Sequence, residues 1–218
     1  MKPVAALFDM DGTLTDSEKL WNLAEQAVFA RLGKTITPED SEEVTGMALF
    51  DSAALLIERY DLPLGVEELG NELNDEVVRQ AKIHGMPWRP GARRLLEELR
   101  DANIPTALVT SSFIDFAAFT LENAPANTLT VAVTGDTLPN GMGKPHPEPY
   151  LRAAREFGVE ITDCVAFEDS VPGVTAAHAS GAQTVVIPFE VPIPDLPGLH
   201  IVSSLEKVDL RYLTSLFG

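Results

Sequence analysis

The sequence predicts an α/β fold: a doubly wound parallel sheet with a helical cap domain inserted behind its first strand. Three observations predict it. From residue 88 onward, short apolar runs alternate with helix-period patterns, as in βαβ units whose sheet is covered on both faces. Residues 17–84 carry helical periodicity with no strand signal between the helices. A lone apolar run at residues 4–8 precedes that helical block and supplies one more strand. The expected division is a core of residues 1–15 and 87–218 and a cap of residues 16–86, with linkers near 14–16 and 85–90.

Within the cap, residues 17–32 read as a helix with Asp16 or Ser17 as its N-terminal cap, followed by helices at 48–60 and 66–83. In the core, Pro90-Gly91 opens an amphipathic helix at 94–100 (RLLEELR), and 105–109 is a buried strand. A helix at 113–122 precedes a strand at 130–134, and a helix at 148–157 precedes a strand at 163–167. A helix at 171–180 leads through Gly181 to a strand at 183–187. Pro188, Pro192, Pro194 and Pro197 then exclude regular structure and mark a loop.

With 218 residues, 45% of them hydrophobic, the chain can bury a sizeable core. Its formal net charge of −17 argues against nucleic acid or an anionic membrane as partner, since both need clustered Lys and Arg. The apolar run after Met1-Lys2 meets Asp9 too soon for a secretory signal, and no run approaches the length of a membrane span. The single cysteine, Cys164, lies among apolar residues of a strand and reads as a buried, inert thiol in a reducing compartment. A cytoplasmic monomer acting on a small molecule is the expectation.

The first strand ends in Asp9-Met10-Asp11-Gly12-Thr13, and ligands of a parallel sheet bind outside the carboxyl ends of its strands. Two carboxylates there can bind a divalent cation or supply a nucleophile and an acid/base. A solvated turn accounts for the same residues, since Asp and Gly are turn formers. The rest of the chain breaks the tie. Thr110-Ser111-Ser112 closes a second strand with hydroxyls, Gly143-Lys144-Pro145 follows a third, and Glu168-Asp169-Ser170 closes a fourth with two more carboxylates. A carboxylate nucleophile, hydroxyl donors, one cation and a second acidic pair, all at strand ends, make a phosphoryl-transfer site. Its all-oxygen ligand set favours Mg²⁺. His146 reads as a local residue of a proline-stiffened loop, and His84, His178 and His200 show no partner pattern. A cis Lys144–Pro145 bond would tighten that loop.

DMDGTLTD, VTSS, GKP and FEDS resemble, in order, the four motifs of the haloacid dehalogenase superfamily, in its branch with a helical cap after the first strand. The resemblance covers essentially the whole chain. It implies a Rossmann-like core and a Mg²⁺-dependent phosphoric monoester hydrolase acting on a sugar or polyol monophosphate. Asp9 would be the nucleophile, forming an aspartyl-phosphate. Asp11 would protonate the leaving oxygen and then activate water. Thr110 and Ser111 would hold the phosphoryl group, and Lys144 would neutralise it and orient Asp9. Mg²⁺ would be held by Asp9, the Asp11 backbone carbonyl and Asp169, with Glu168 acting through water. Trp21, on the first cap helix, would offer a face to a sugar ring or pack in the core. The dehalogenase branch does not need the second aspartate. The phosphonate-cleaving branch needs a cap lysine, and Lys19 and Lys34 lack a convincing context. The β-phosphoglucomutase branch is the rival, but its members carry His where this chain has Trp21 and Arg where this chain reads TGMALF. An inactive binding or regulatory role is disfavoured because every reactive group is retained.

Overall fold

A computed structural model describes residues 1–139, 141–189 and 193–218. Strands β1 (Ala5–Phe8), β2 (Thr106–Val109), β3 (Val131–Val133), β4 (Cys164–Glu168), β5 (Gln183–Val186) and β6 (His200–Ile201) form one parallel sheet in the order β3-β2-β1-β4-β5-β6. Between β1 and β2 the chain makes helices α1 (Glu18–Arg31), α2 (Pro38–Val44), α3 (Leu49–Tyr60), α4 (Val66–His84) and α5 (Ala92–Asp101). Thereafter α6 (Ile114–Asn123), α7 (Glu148–Phe157) and α8 (Val171–Ser180) cross between successive strands, and α9 (Leu210–Ser215) follows β6.

The central strands β1, β2 and β4 are buried at every position and mostly apolar because both faces of the sheet are covered. Ala5 and Leu7 of β1 pack with Tyr150, Ala153 and Ala154 of α7 and with Ala176 and Ala177 of α8. The alternate residues Ala6 and Phe8 face Leu95, Leu96 and Leu99 of α5, Phe116 of α6 and Leu213 of α9. The result is a three-layer, Rossmann-like α/β architecture.

Helices α1 to α4 share a cluster of their own, built on Val28, Phe29, Leu56, Leu69 and Leu73. Leu20 and Ala24 of α1 and Val77 and Ala81 of α4 instead belong to the cluster under the sheet. The helical insertion is therefore anchored on the sheet side through α1 and α4.

Three elements escape the periodicity argument. Helix α2 has seven residues, too few to display a helical repeat, although Thr37 caps it and Pro38 opens it. Strand β6 has two residues and α9 six. Pro188, Pro194 and Pro197 lie outside helices and strands, and Pro192 lies outside the described residues. The Lys144–Pro145 bond is cis. Among the described residues, no helix is long and apolar enough to cross a membrane.

Candidate active site

The strand order reverses direction between β1 and β4, and the crevice above such a switch point is where α/β sheets bind ligands. Phe8 of β1 pairs with Phe167 of β4, and their rings stack 4.3 Å apart. The next residues, Asp9 and Glu168, therefore emerge side by side at the strand ends. The Asp9 backbone N–H still donates to the Phe167 carbonyl at 3.0 Å, which holds Asp9 to the sheet.

Lys144 binds these two carboxylates together. Its Nζ lies 2.6 Å from Asp9 Oδ1 and 2.6 Å from Glu168 Oε1, and it donates to the Val109 carbonyl at 2.9 Å. Burial alone would lower the Lys144 pKa, but the charges of Asp9 and Glu168 outweigh it and hold the ammonium ionised. Glu168 is fully buried, and its Oε1 also accepts from the Tyr150 hydroxyl at 2.5 Å.

Asp11 stands across the site in a separate network. It accepts from Ser17 Oγ at 2.5 Å, Ser112 Oγ at 2.7 Å, Thr110 Oγ1 at 3.3 Å and the Trp21 indole N–H at 3.3 Å. Ser17 occupies the cap position of α1, yet its hydroxyl serves Asp11 and makes no bond to a helix N–H. Asp169 accepts from Thr13 Oγ1 at 3.0 Å. It also explains the glycine of the first motif: Gly12 has φ of 82°, and a Cβ there would stand 2.0 Å from Asp169 Oδ2.

Asp9, Asp11, Trp21, Ser111, Lys144 and Asp169 all line one cavity of about 220 Å³ beneath the helical insertion. Thr110 and Glu168 are buried without lining it, Thr110 with its hydroxyl on Asp11 and Glu168 locked to Lys144 and Tyr150. Trp21 packs edge-on against Phe116 at 5.6 Å and also lines the cavity. His146 is local: its Nδ1 accepts the Glu148 N–H at 3.1 Å. Cys164 is buried, and burial pushes its thiol up to about 12. Sequence reasoning read Ser17 as a helix cap, named Ser112 within the hydroxyl run without a role of its own, and missed Tyr150. Ser112 belongs to the hydroxyl run, and only its partner Asp11 was not legible, whereas nothing local marks Tyr150.

A haloacid dehalogenase-like hydrolase family model matches residues 4–181, over the strands and motifs just described. The chain belongs to the haloacid dehalogenase-like hydrolases. A probable pseudouridine-5'-phosphatase of Drosophila melanogaster is 36% identical over 195 residues, covering 86% of this chain and 82% of that protein. Hexitol phosphatase B of Escherichia coli K12 is 30% identical over 194 residues, covering 85% and 83%. Among solved structures, CbbY from Rhodobacter sphaeroides in complex with phosphate superimposes with a TM-score of 0.88 at 26% identity, covering 97% and 99%.

Haloacid dehalogenase-like hydrolases imply a divalent cation, and the residues of this chain fit one. Asp9, Glu168 and Asp169 each present a carboxylate oxygen, all within 4.8 Å of one another and all buried. Three carboxylates face one ammonium there, so a divalent cation would bring the cluster to neutrality. Asp9 Oδ2 is buried without a hydrogen-bond partner among the described residues. Burial, helped by the neighbouring acids and opposed by Lys144, raises the Asp9 pKa well above the carboxylate range. Burial and the Glu168 charge push Asp169 up to about 8, against the pull of Thr13 and Lys144. Both shifts mark a cluster short of positive charge.

Proposed function

We propose that this hydrolase cleaves the monophosphate ester of a small sugar or polyol, with Mg²⁺ as cofactor, by way of a phosphoryl group carried on Asp9. The observation that carries the reading is the state of Asp9. Lys144 fixes one of its carboxylate oxygens, the other has no hydrogen-bond partner among the described residues, and the side chain lines the cavity. Residues 16–86 act as the cap that closes this cavity and excludes bulk water.

In the first step an Asp9 oxygen bonds to phosphorus and the bond from phosphorus to the ester oxygen breaks. Asp11 gives its proton to the departing alcohol. In the second step the ionised Asp11 takes a proton from water as that water attacks phosphorus, and the Asp9–phosphorus linkage breaks to release phosphate. The hydroxyls of Ser17 and Ser112 and the indole of Trp21 hold the Asp11 carboxyl in position for both transfers. Lys144 keeps Asp9 oriented and offsets charge on the phosphoryl oxygens, and Ser111 supplies a donor on the cavity wall. Mg²⁺ would be held by Asp9, the Asp11 carbonyl and Asp169, with Glu168 behind them, and would neutralise phosphoryl charge.

Lys144 is the one cation among the described residues lining the cavity. A second phosphate would find no partner, which favours a monophosphate over a bisphosphate or a phosphomutase substrate. The test is hydrolysis of p-nitrophenyl phosphate and of a sugar-phosphate panel with Mg²⁺ and with excess EDTA, for wild type and Asp9→Asn. Turnover should need the metal and vanish in the variant. Wild-type rates preserved in EDTA, or turnover by Asp9→Asn, would defeat the mechanism.

A further inference from the structure

The cavity has a second polar end that the phosphoryl chemistry does not use. Glu18, Trp21, Asn22 and Glu25 of α1 all line it, at a spacing that puts them on one face of the helix. Trp21 marks the reacting end, since its indole N–H reaches Asp11. Glu25 lies one turn further along α1, roughly 6 Å at 1.5 Å per residue. Ser41 of α2 closes the group from the facing helix, bonding both Asn22 Oδ1 at 2.6 Å and Glu25 Oε2.

These residues are more than a solvated helix face. Glu25 and Ser41 are each only 7% exposed, and both line the cavity. Among the described residues no cation pairs with Glu25: its hydrogen-bond partner is the Ser41 hydroxyl. A single Ser41 proton cannot serve both Asn22 Oδ1 and Glu25. A protonated Glu25 resolves this by donating to Ser41, which then donates to Asn22. Burial supports that state, pushing the Glu25 carboxyl up to about 7 against the opposing Ser41 bond. Near neutral pH the group can therefore give or accept a hydrogen bond, which is what a hydroxyl requires of its partner.

We propose that Glu25, with Asn22 and Ser41, forms a subsite for the alcohol half of the substrate, recognising uncharged hydrogen-bond donors such as hydroxyls about one helical turn from the scissile oxygen. The inference rests on the phosphatase reading and narrows it. It selects phosphate esters whose leaving group is neutral and hydroxylated several bonds from phosphorus. It disfavours leaving groups that bear a second anion, which would meet Glu18 and Glu25. A purely apolar leaving group is also disfavoured, because it would bury Glu25 and Asn22 without new partners.

The experiment measures kcat/KM of wild type, Glu25→Gln, Glu25→Leu and Asn22→Ala with four esters. Sorbitol 6-phosphate and pseudouridine 5'-phosphate present neutral donors on a polyol and on a glycosyl group respectively. Glucosamine 6-phosphate presents a cation, and p-nitrophenyl phosphate presents no hydroxyl. For at least one neutral donor-bearing ester, Glu25→Leu should lower kcat/KM by about 10–100-fold more than it does for p-nitrophenyl phosphate. Glu25→Gln, which keeps the shape and folding of the site, should show a smaller selective loss, and Asn22→Ala should follow the same direction. Parallel losses on all esters, or no loss, overturn the subsite. A wild-type preference for glucosamine 6-phosphate overturns the neutral-ligand assignment. If wild type turns over none of the four, the phosphatase reading falls and the subsite with it; p-nitrophenyl phosphate turnover by wild type keeps the two questions separate.

Discussion

Replacing Lys144 with methionine should cost more stability than any other single change at the strand ends. Methionine keeps the length and most of the volume of lysine, so the packing around Tyr150 is retained and the charge is what goes. The lost ammonium sits 2.6 Å from each of two buried carboxylates, Asp9 and Glu168, with Asp169 in the same cluster. Removing one partner of a buried ion pair costs about 3–5 kcal/mol, and two stranded carboxylates put this case near about 5 kcal/mol. That is a large share of the roughly 5–15 kcal/mol that holds a typical domain folded. With a urea m-value of about 2 kcal/mol/M, the unfolding midpoint should fall by roughly 2.5 M. The penalty also has a pH signature. The stranded acids bind protons more tightly folded than unfolded, so the variant regains stability as pH falls. Urea titrations followed by far-UV circular dichroism in EDTA, at pH 8 and pH 5, read both effects. Equal midpoints for variant and wild type at pH 8, or a gap that widens on acidification, would refute the charge-compensation argument.

Asp11→Asn should leave the fold intact and lower kcat by about 10²–10⁴-fold through the lost proton transfers, read by steady-state hydrolysis of a poor-leaving-group ester. Glu25 has its pKa raised from 4.5 to about 7 by burial, so the folded state binds the extra proton and wild-type stability falls as pH rises from about 4.5 to 7. Glu25→Gln should remove that slope and, above pH 7, gain up to about 3 kcal/mol, measured as a pH series of urea midpoints. Gly173→Ala would set a Cβ 1.9 Å from Glu168 Oε2, so it should destabilise by about 1–3 kcal/mol and, by displacing the partner of Lys144, reduce turnover as well.

The residues proposed to carry the chemistry were legible in the chain because a parallel sheet sends the carboxyl end of every strand to one edge. Once residues 4–8, 105–109 and 163–167 read as buried strands, Asp9, Asp11, Thr110 and Asp169 had to share that edge. The α7 and α8 boundaries were equally plain, since proline near the start and glycine just past the end leave a local mark. Short elements left no such mark: a two-residue β6 and a seven-residue α2 are shorter than the repeat that would reveal them.

Tertiary structure alone decided which neighbours each group acquired. Lys144 and Tyr150 meet Glu168 because the chain crosses from β3 to β4 over one face of the sheet, and that strand order has no signature in local sequence. Ser17 has the sequence of a helix cap, but packing turned its hydroxyl to Asp11. The stripe Glu18, Asn22, Glu25 has the same helical period whether it faces water or a cavity. Helix α2 closing over it made the difference, because burial, which acts through everything packed around a side chain, is what raises the Glu25 pKa and gives the stripe a chemistry.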